Sequence, residues 1–332
     1  MIADRYYYMQ LSESDRKVYQ ALYKGVLNLK REIRLDGVCL PMESVHAVFR
    51  AVTNDNPFLY YFNQSLLEVR QSEYETILEP QYFCTREQIK IYNSRIEAIV
   101  NQMMSELCLA ECSEPERLRR VHDYFCENFE YDTESLGTGN YNRQIAAHSI
   151  IGVFAKGRAV CEGISKAVKL VLNTAGIKCI VVDGLGGTEE GEHSWNIIKI
   201  NGKPYHLDMT WDLANSKEGR TNYDYYNLTD ADISRDHSNF AGVPNCISTE
   251  ENYFVKNHLE FYDQTQLYEY IRYGLSRAQK DYYFRYREKE SIEQIVYDVV
   301  HYLQAELPRQ GFCGTLRSSM KKSQGTGRVT VV

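Results

Sequence analysis

The sequence predicts an α+β fold: a helix opening at a cysteine, packed on an antiparallel sheet, with a mostly helical N-terminal region and a small α+β C-terminal module. Three observations predict it. Small residues and glycines around Cys161 lead straight into Ile164, Val168, Val171, Leu172 and Ala175, apolar positions at the helical period, and Gly176 follows as a stop. The runs 179–182 and 193–200 read as strands, and Asn201-Gly202 is a strong hairpin signal. Two capping boxes, Thr85-Arg86-Glu87-Gln88 and Ser113-Glu114-Pro115-Glu116, open amphipathic helices ahead of them.

The first region spans residues 1–112. Ser12-Glu13-Ser14-Asp15 caps a helix whose stripe is Val18, Leu22, Val26, Leu29 and Ile33. A shorter helix covers 43–52, and Asp55-Asn56-Pro57 breaks it. Residues 58–62, 66–70 and 74–78 read as short strands. The helix after Thr85 places Ile89, Tyr92, Ile96, Ile99, Met103 and Leu107 on one face. These stripes read as core, so a packing layer, a substrate platform or a lid is the expected role.

The central region spans 113–261. Leu118, Val121, Tyr124 and Phe125 give its first helix a buried face, and 135–142 is a polar loop. After the cysteine helix and the strand 179–182, residues 184–191 carry four glycines and two glutamates and read as a loop. Residues 203–210 form the return strand of the hairpin. Pro204 lies near its start, where a strand tolerates proline, and the strand holds Asp208.

The last region spans 262–332. Leu267, Tyr270, Ile271, Leu275 and Ala278 mark a helix, 282–287 a strand and 291–303 a second helix. Residues 312–318 and 328–332 read as two strands around Gly325-Thr326-Gly327. Beyond Glu306 the tail has Arg309, Arg317, Lys321, Lys322 and Arg328 and no acid. A solvated hairpin is the simple reading, and a docking surface for an anionic partner is the alternative.

A thiol at a helix N-terminus meets the positive end of the backbone dipole and free N–H groups, which favour a thiolate and offer donors to an oxyanion. His193, after the glycine-rich stretch, is the candidate base. Asp208 lies in an apolar strand, where a carboxylate needs a partner. His193 lies eight residues before Asn201 and Asp208 six after Gly202, so a diagonal contact across the hairpin brings them within reach. Cys161, His193 and Asp208 are therefore read as nucleophile, base and orienting carboxylate. His206 and Asp212 are the alternatives for base and orienter. Trp195 and Trp211 are expected to pack around the pair and exclude water. Glu162 and Asp183 fit either a cleft or an ion pair.

Val160-Cys161-Glu162-Gly163, His193-Ser194-Trp195-Asn196 and Tyr205-His206-Leu207-Asp208-Met209-Thr210-Trp211-Asp212, in that order, resemble the transglutaminase-like superfamily of papain-like thiol enzymes, in its bacterial branch. Val121-His122-Asp123-Tyr124, Tyr131-Asp132 and His148-Ser149 fit the elements that precede the cysteine. The resemblance covers residues 115–230. It implies a Cys161–His193–Asp208 triad acting on peptide or protein amide bonds through a thioester, with hydrolysis favoured. Protein-glutamine transglutamination and a catalytically silent peptide-binding module are the alternatives. It implies no cofactor, and no calcium loop of alternating Asp and Asn is present.

The 332-residue chain is 43% hydrophobic and 25% charged, ordinary for a globular protein of two or three units. A net charge of −7 argues against general nucleic-acid binding. Nine cysteines without a CxxC pair give little support to a metal site or disulfide framework, so most are expected as reduced core residues. No apolar run spans a bilayer and no signal-peptide core opens the chain, so a cytoplasmic setting is expected, or secretion if a leader was removed, and the resemblance implies a peptide or protein substrate.

Overall fold

The computed structural model describes residues 5–37, 41–136, 141–216, 219–288, 290–309, 311 and 314–332. Its centre is an antiparallel sheet in the order Lys203–Leu207, Gly191–Ile200, Lys178–Gly186 and His237–Ser238. The helix Cys161–Thr174 packs across the two middle strands. Ile164, Val168, Val171 and Leu172 are all fully buried. Each contributes roughly 1.5–3 kcal/mol through removal of apolar surface from water.

Asn201 and Gly202 both have positive φ, 50° and 82°, the backbone of a tight hairpin turn. The predicted return strand ends early. Pairing stops at Leu207, and Met209–Asn215 is a helix with Asp208 as its N-cap. Asp208 leaves the strand because its carboxylate accepts the backbone N–H groups of Thr210 and Trp211 at 3.0 and 3.2 Å. The predicted loop 184–191 is also shorter. The strands reach Gly186 and Gly191, leaving a tight turn between them. Gly184 permits this because a Cβ there would lie 2.7 Å from the Trp195 ring.

The N-terminal region carries helices at Glu13–Leu27, Met42–Asp55 and Arg86–Glu106, the last opened by the Thr85–Gln88 capping box. It also holds a three-stranded sheet, in the order Ile33–Asp36, Glu75–Tyr82, Phe62–Gln71. Ile33 is therefore in a strand and not in the helix Glu13–Leu27, which ends before Leu29 turns to φ 53°. Residues 58–61 form turns, not a strand. Ser113 N–H donates to Glu116 Oε2 at 2.9 Å and opens the helix Glu114–Asn128, which packs on Met209–Asn215. Part of the predicted loop 135–142, residues 137–140, lies outside the described residues; Tyr141–Ala147 is a helix.

Residues of the N-terminal region and of the cysteine helix share one apolar core. A second core lies under the four-stranded C-terminal sheet, in the order Glu260–Phe261, Asp281–Tyr286, Thr326–Val331, Leu316–Lys321, with the helices Gln264–Ser276 and Ile292–Arg309. Phe312 and Cys313, at the start of the predicted strand 312–318, lie outside the described residues. The basic tail is tied down internally. Arg309 pairs with Glu306, Lys322 with Glu293, and Arg328 with Asp281. Among the described residues no helix is long and apolar enough to cross a membrane.

Candidate active site

The helix Ile150–Lys156 ends at Gly157, whose φ of 74° turns the chain into the short strand Arg158–Ala159. Val160 then caps the next helix, so Cys161 is its first residue. Close packing fixes that start: a Cβ on Gly163 would lie 2.3 Å from the carbonyl oxygen of Ala147. First-turn N–H groups have no acceptor within their own helix. Ser165 Oγ donates to the carbonyl of Ser194 at 2.9 Å, and Asn196 Nδ2 donates to the carbonyl of Ser165 at 3.0 Å, locking the helix to the strand that bears His193.

His193 faces Gly184 in the sheet register. Its Nε2 donates to Asp208 Oδ2 at 2.8 Å, and the Cys161 thiol lies close enough to raise the ring's affinity for a proton. His193 and Asp208 are thus directly paired, and Cys161, at the start of its helix, lies near the ring. Cys161 is half-buried, His193 is 9% exposed and Asp208 is fully buried. Burial opposes a charge on His193, but Asp208, and then Cys161, raise the ring to about 10. Burial likewise opposes a charged Asp208, yet His193 and then His237 hold its carboxyl well below the usual range.

The two alternatives are engaged elsewhere. His206 Nδ1 accepts from Trp195 Nε1 at 3.0 Å, and its Nε2 donates to Asp230 Oδ1 at 2.8 Å. Burial pushes this ring down to about 4, so it is a neutral structural group. Asp212 faces His122 Nε2 at 3.1 Å and accepts Tyr225 N–H at 3.0 Å; burial raises it to about 7. Glu162 joins His148 Nδ1 at 2.9 Å and the buried Lys166 at 2.5 Å, and Lys166 reaches Gln64 at 2.5 Å. Asp183 pairs with Arg50 at 2.9 Å and accepts Ser194 Oγ at 2.8 Å. The N-terminal region therefore supplies one ion-pair partner, Arg50, and one hydrogen-bond partner, Gln64, to these groups.

Trp195 and Trp211 flank the His193 ring at centroid distances of 6.0 and 5.2 Å. Tyr131 lies near Cys161 and Asp208; burial first, then their charges, raises its hydroxyl to about 12. It borders a cleft of about 560 Å³ walled by Cys126, Phe129, Leu213, Ala214 and Thr221.

Sequence reasoning missed His237. Its Nε2 donates to Asp208 Oδ2 at 3.1 Å and its Nδ1 to Asp236 Oδ1 at 2.7 Å. Nothing local marks it; Arg235-Asp236-His237-Ser238 is a polar run without periodicity. The ligand atoms of His193, Asp208 and His237 lie within 4.8 Å of one another, close enough for a cation. Each of those atoms is already spent in the hydrogen bonds just given, which account for the cluster on their own.

Residues 101–209 match the family model of the Transglutaminase-like superfamily, a span that includes Cys161, His193 and Asp208. The chain is 26% identical over 149 residues to kyphoscoliosis peptidase of Mus musculus, covering 40% of this chain and 22% of that protein. It is 25% identical over 137 residues to kyphoscoliosis peptidase of Homo sapiens, covering 38% and 20%. The matches thus span about a fifth of those relatives' length. A solved structure described as that of a TGase is 14% identical, with a TM-score of 0.33, and covers 56% of this chain and 52% of that one.

Proposed function

We propose that the protein, whose residues 101–209 match the Transglutaminase-like superfamily, is a thiol-dependent acyl-transfer enzyme acting on peptide or protein amide bonds, and that it hydrolyses them. The observation that carries this reading is the His193–Asp208 pair at 2.8 Å, with Cys161 near the ring as the first residue of its helix.

In this reading His193 Nδ1 takes the Cys161 proton, and the thiolate attacks the amide carbon. The carbonyl π pair moves to oxygen, and the N–H groups at the start of the cysteine helix receive the oxyanion. The carbonyl re-forms, the C–N bond breaks, and the imidazolium gives its proton to the departing amine. A thioester remains on Cys161. His193 then removes a proton from water, the hydroxide oxygen bonds to the acyl carbon, and the acid leaves as the thiol is restored. Asp208 keeps the ring in the orientation that faces sulfur and offsets its charge. Trp195 and Trp211 keep water from the Asp208 side of the ring. The peptidase name of the curated relatives supports water over an amine as acyl acceptor.

The test is turnover of a mixed quenched-fluorescence peptide library beside incorporation of a labelled primary amine into glutamine peptides. Peptide cleavage that Cys161→Ala and His193→Ala abolish is expected. Amine incorporation without cleavage would reassign the enzyme as a transglutaminase. No turnover of either class, with an unreactive Cys161, would make the cleft a peptide-binding module.

A further inference from the structure

We propose that His237 is a positioning residue of this site, a second imidazole that shares the Asp208 carboxylate with His193 and sets how strongly that carboxylate holds the His193 proton. The inference rests on the acyl-transfer reading above and adds to it a residue beyond the matched span 101–209.

The geometry is complete. One oxygen of Asp208, Oδ2, accepts from His193 Nε2 at 2.8 Å and from His237 Nε2 at 3.1 Å. The other, Oδ1, accepts two backbone N–H groups at the start of the helix Met209–Asn215. His237 Nδ1 is held by Asp236 Oδ1 at 2.7 Å, and Asp236 Oδ2 accepts the Tyr225 hydroxyl at 2.6 Å. The strand His237–Ser238 pairs with Lys178–Gly186, the neighbour of the His193 strand, so one sheet holds both rings. The groups around His237 are Asp208, Asp236 and His193, the rings of Trp195, Trp211, Tyr225 and His206, and Lys321 beyond Trp211 and Tyr225.

A neutral imidazole has one N–H, but His237 faces carboxylates with both nitrogens. Both contacts are satisfied only when the ring carries two N–H groups and a positive charge. Burial opposes that charge, and Asp208 and Asp236 favour it, with a net rise. A cation on the far side of Asp208 draws on the same oxygen that holds the His193 imidazolium. His193 therefore releases its proton more readily than it would beside an unshared carboxylate, as donation to a departing amine requires.

The experiment reads the rate of Cys161 alkylation by iodoacetamide from pH 4 to 11 in the full chain, by mass spectrometry of the labelled peptide. It needs no substrate. The high-pH inflection reports loss of the His193 proton. His237→Gln keeps a donor to Asp208 and removes the charge, so that inflection is expected to move up by about half a pH unit or more. Asp236→Asn, which weakens the charge on His237 without touching Asp208, is expected to move it the same way by less; it serves as well if His237→Gln does not fold. An inflection unchanged in the folded variants, with Cys161 still fast, overturns the role of His237 and leaves the acyl-transfer reading standing. Wild-type Cys161 alkylated at the rate of an ordinary thiol overturns both.

Discussion

Lys321 Nζ lies 4.4 Å from the centre of the Trp211 ring, and the same indole stands 5.2 Å from the ring of His193. The C-terminal hairpin thus reaches the flank of the candidate active site through one cation–π contact, with Tyr225 as a second ring at 5.2 Å. Lys321→Ala is expected to lower unfolding free energy by about 0.5–1 kcal/mol. Urea denaturation followed by Trp fluorescence measures it, and an unchanged midpoint would show that the contact is incidental.

Asp208→Asn keeps a cap for the helix Met209–Asn215, since asparagine caps as well as aspartate, so the fold is expected to survive. It removes the charge that stabilises the His193 imidazolium. Peptide cleavage is expected to fall by roughly 10²–10⁴ in kcat, with little change in KM. A variant with wild-type kcat would leave Asp208 a purely structural cap.

His193 binds its proton more tightly in the folded protein, at about 10, than at the unperturbed value of 6.5. Its contribution to stability is fully present below about pH 6.5 and is lost as the pH rises toward 10. Asp208 behaves oppositely: its lowered value makes a contribution present at neutral pH and lost only in strong acid. Denaturant titrations at intervals from pH 6.5 to 10 are expected to show a shallower loss for His193→Gln than for the wild type. Parallel losses would contradict the coupling.

The buried Asp212–His122 pair is a structural element. Asp212→Ala strands the buried His122 Nε2 and the Tyr225 N–H, at an expected cost of about 3–5 kcal/mol by equilibrium unfolding. Where the variant remains folded, Cys161 alkylation is expected to stay fast. A stable variant with a slow thiol would move Asp212 into the reacting group.

Gly163→Ala would drive a Cβ to 2.3 Å from the Ala147 carbonyl oxygen and 2.9 Å from that of Ser149. The helix start must shift, so a loss of roughly 1–3 kcal/mol is expected together with slower alkylation of Cys161. Unchanged stability and rate would show that the Cys161 turn tolerates displacement.

What could be read in advance follows the range of the forces involved. The capping boxes at Thr85 and Ser113, the Asn201-Gly202 turn and the period after Cys161 are local signals, and each lies where the sequence places it. The meeting of His193 and Asp208 follows from counting residues around that turn. Asp208 was less legible, because strand and N-cap compete over the same residues and two backbone N–H bonds decide for the cap. Ile33 continues the helical stripe by count, but pairing with Leu78 overrides it. His237 was invisible, because its contact with Asp208 spans 29 residues and depends on an edge strand of two residues.

In the proposed reading His193 is what makes Cys161 react faster than the other thiols. Competitive alkylation of the native protein at pH 6.5, with every cysteine mapped, tests this against Cys108, which is exposed. Cys161, although half-buried, is expected to be labelled well ahead of Cys108, and His193→Ala to abolish the difference. Labelling of Cys161 no faster than Cys108, or an advantage that survives His193→Ala, would contradict it.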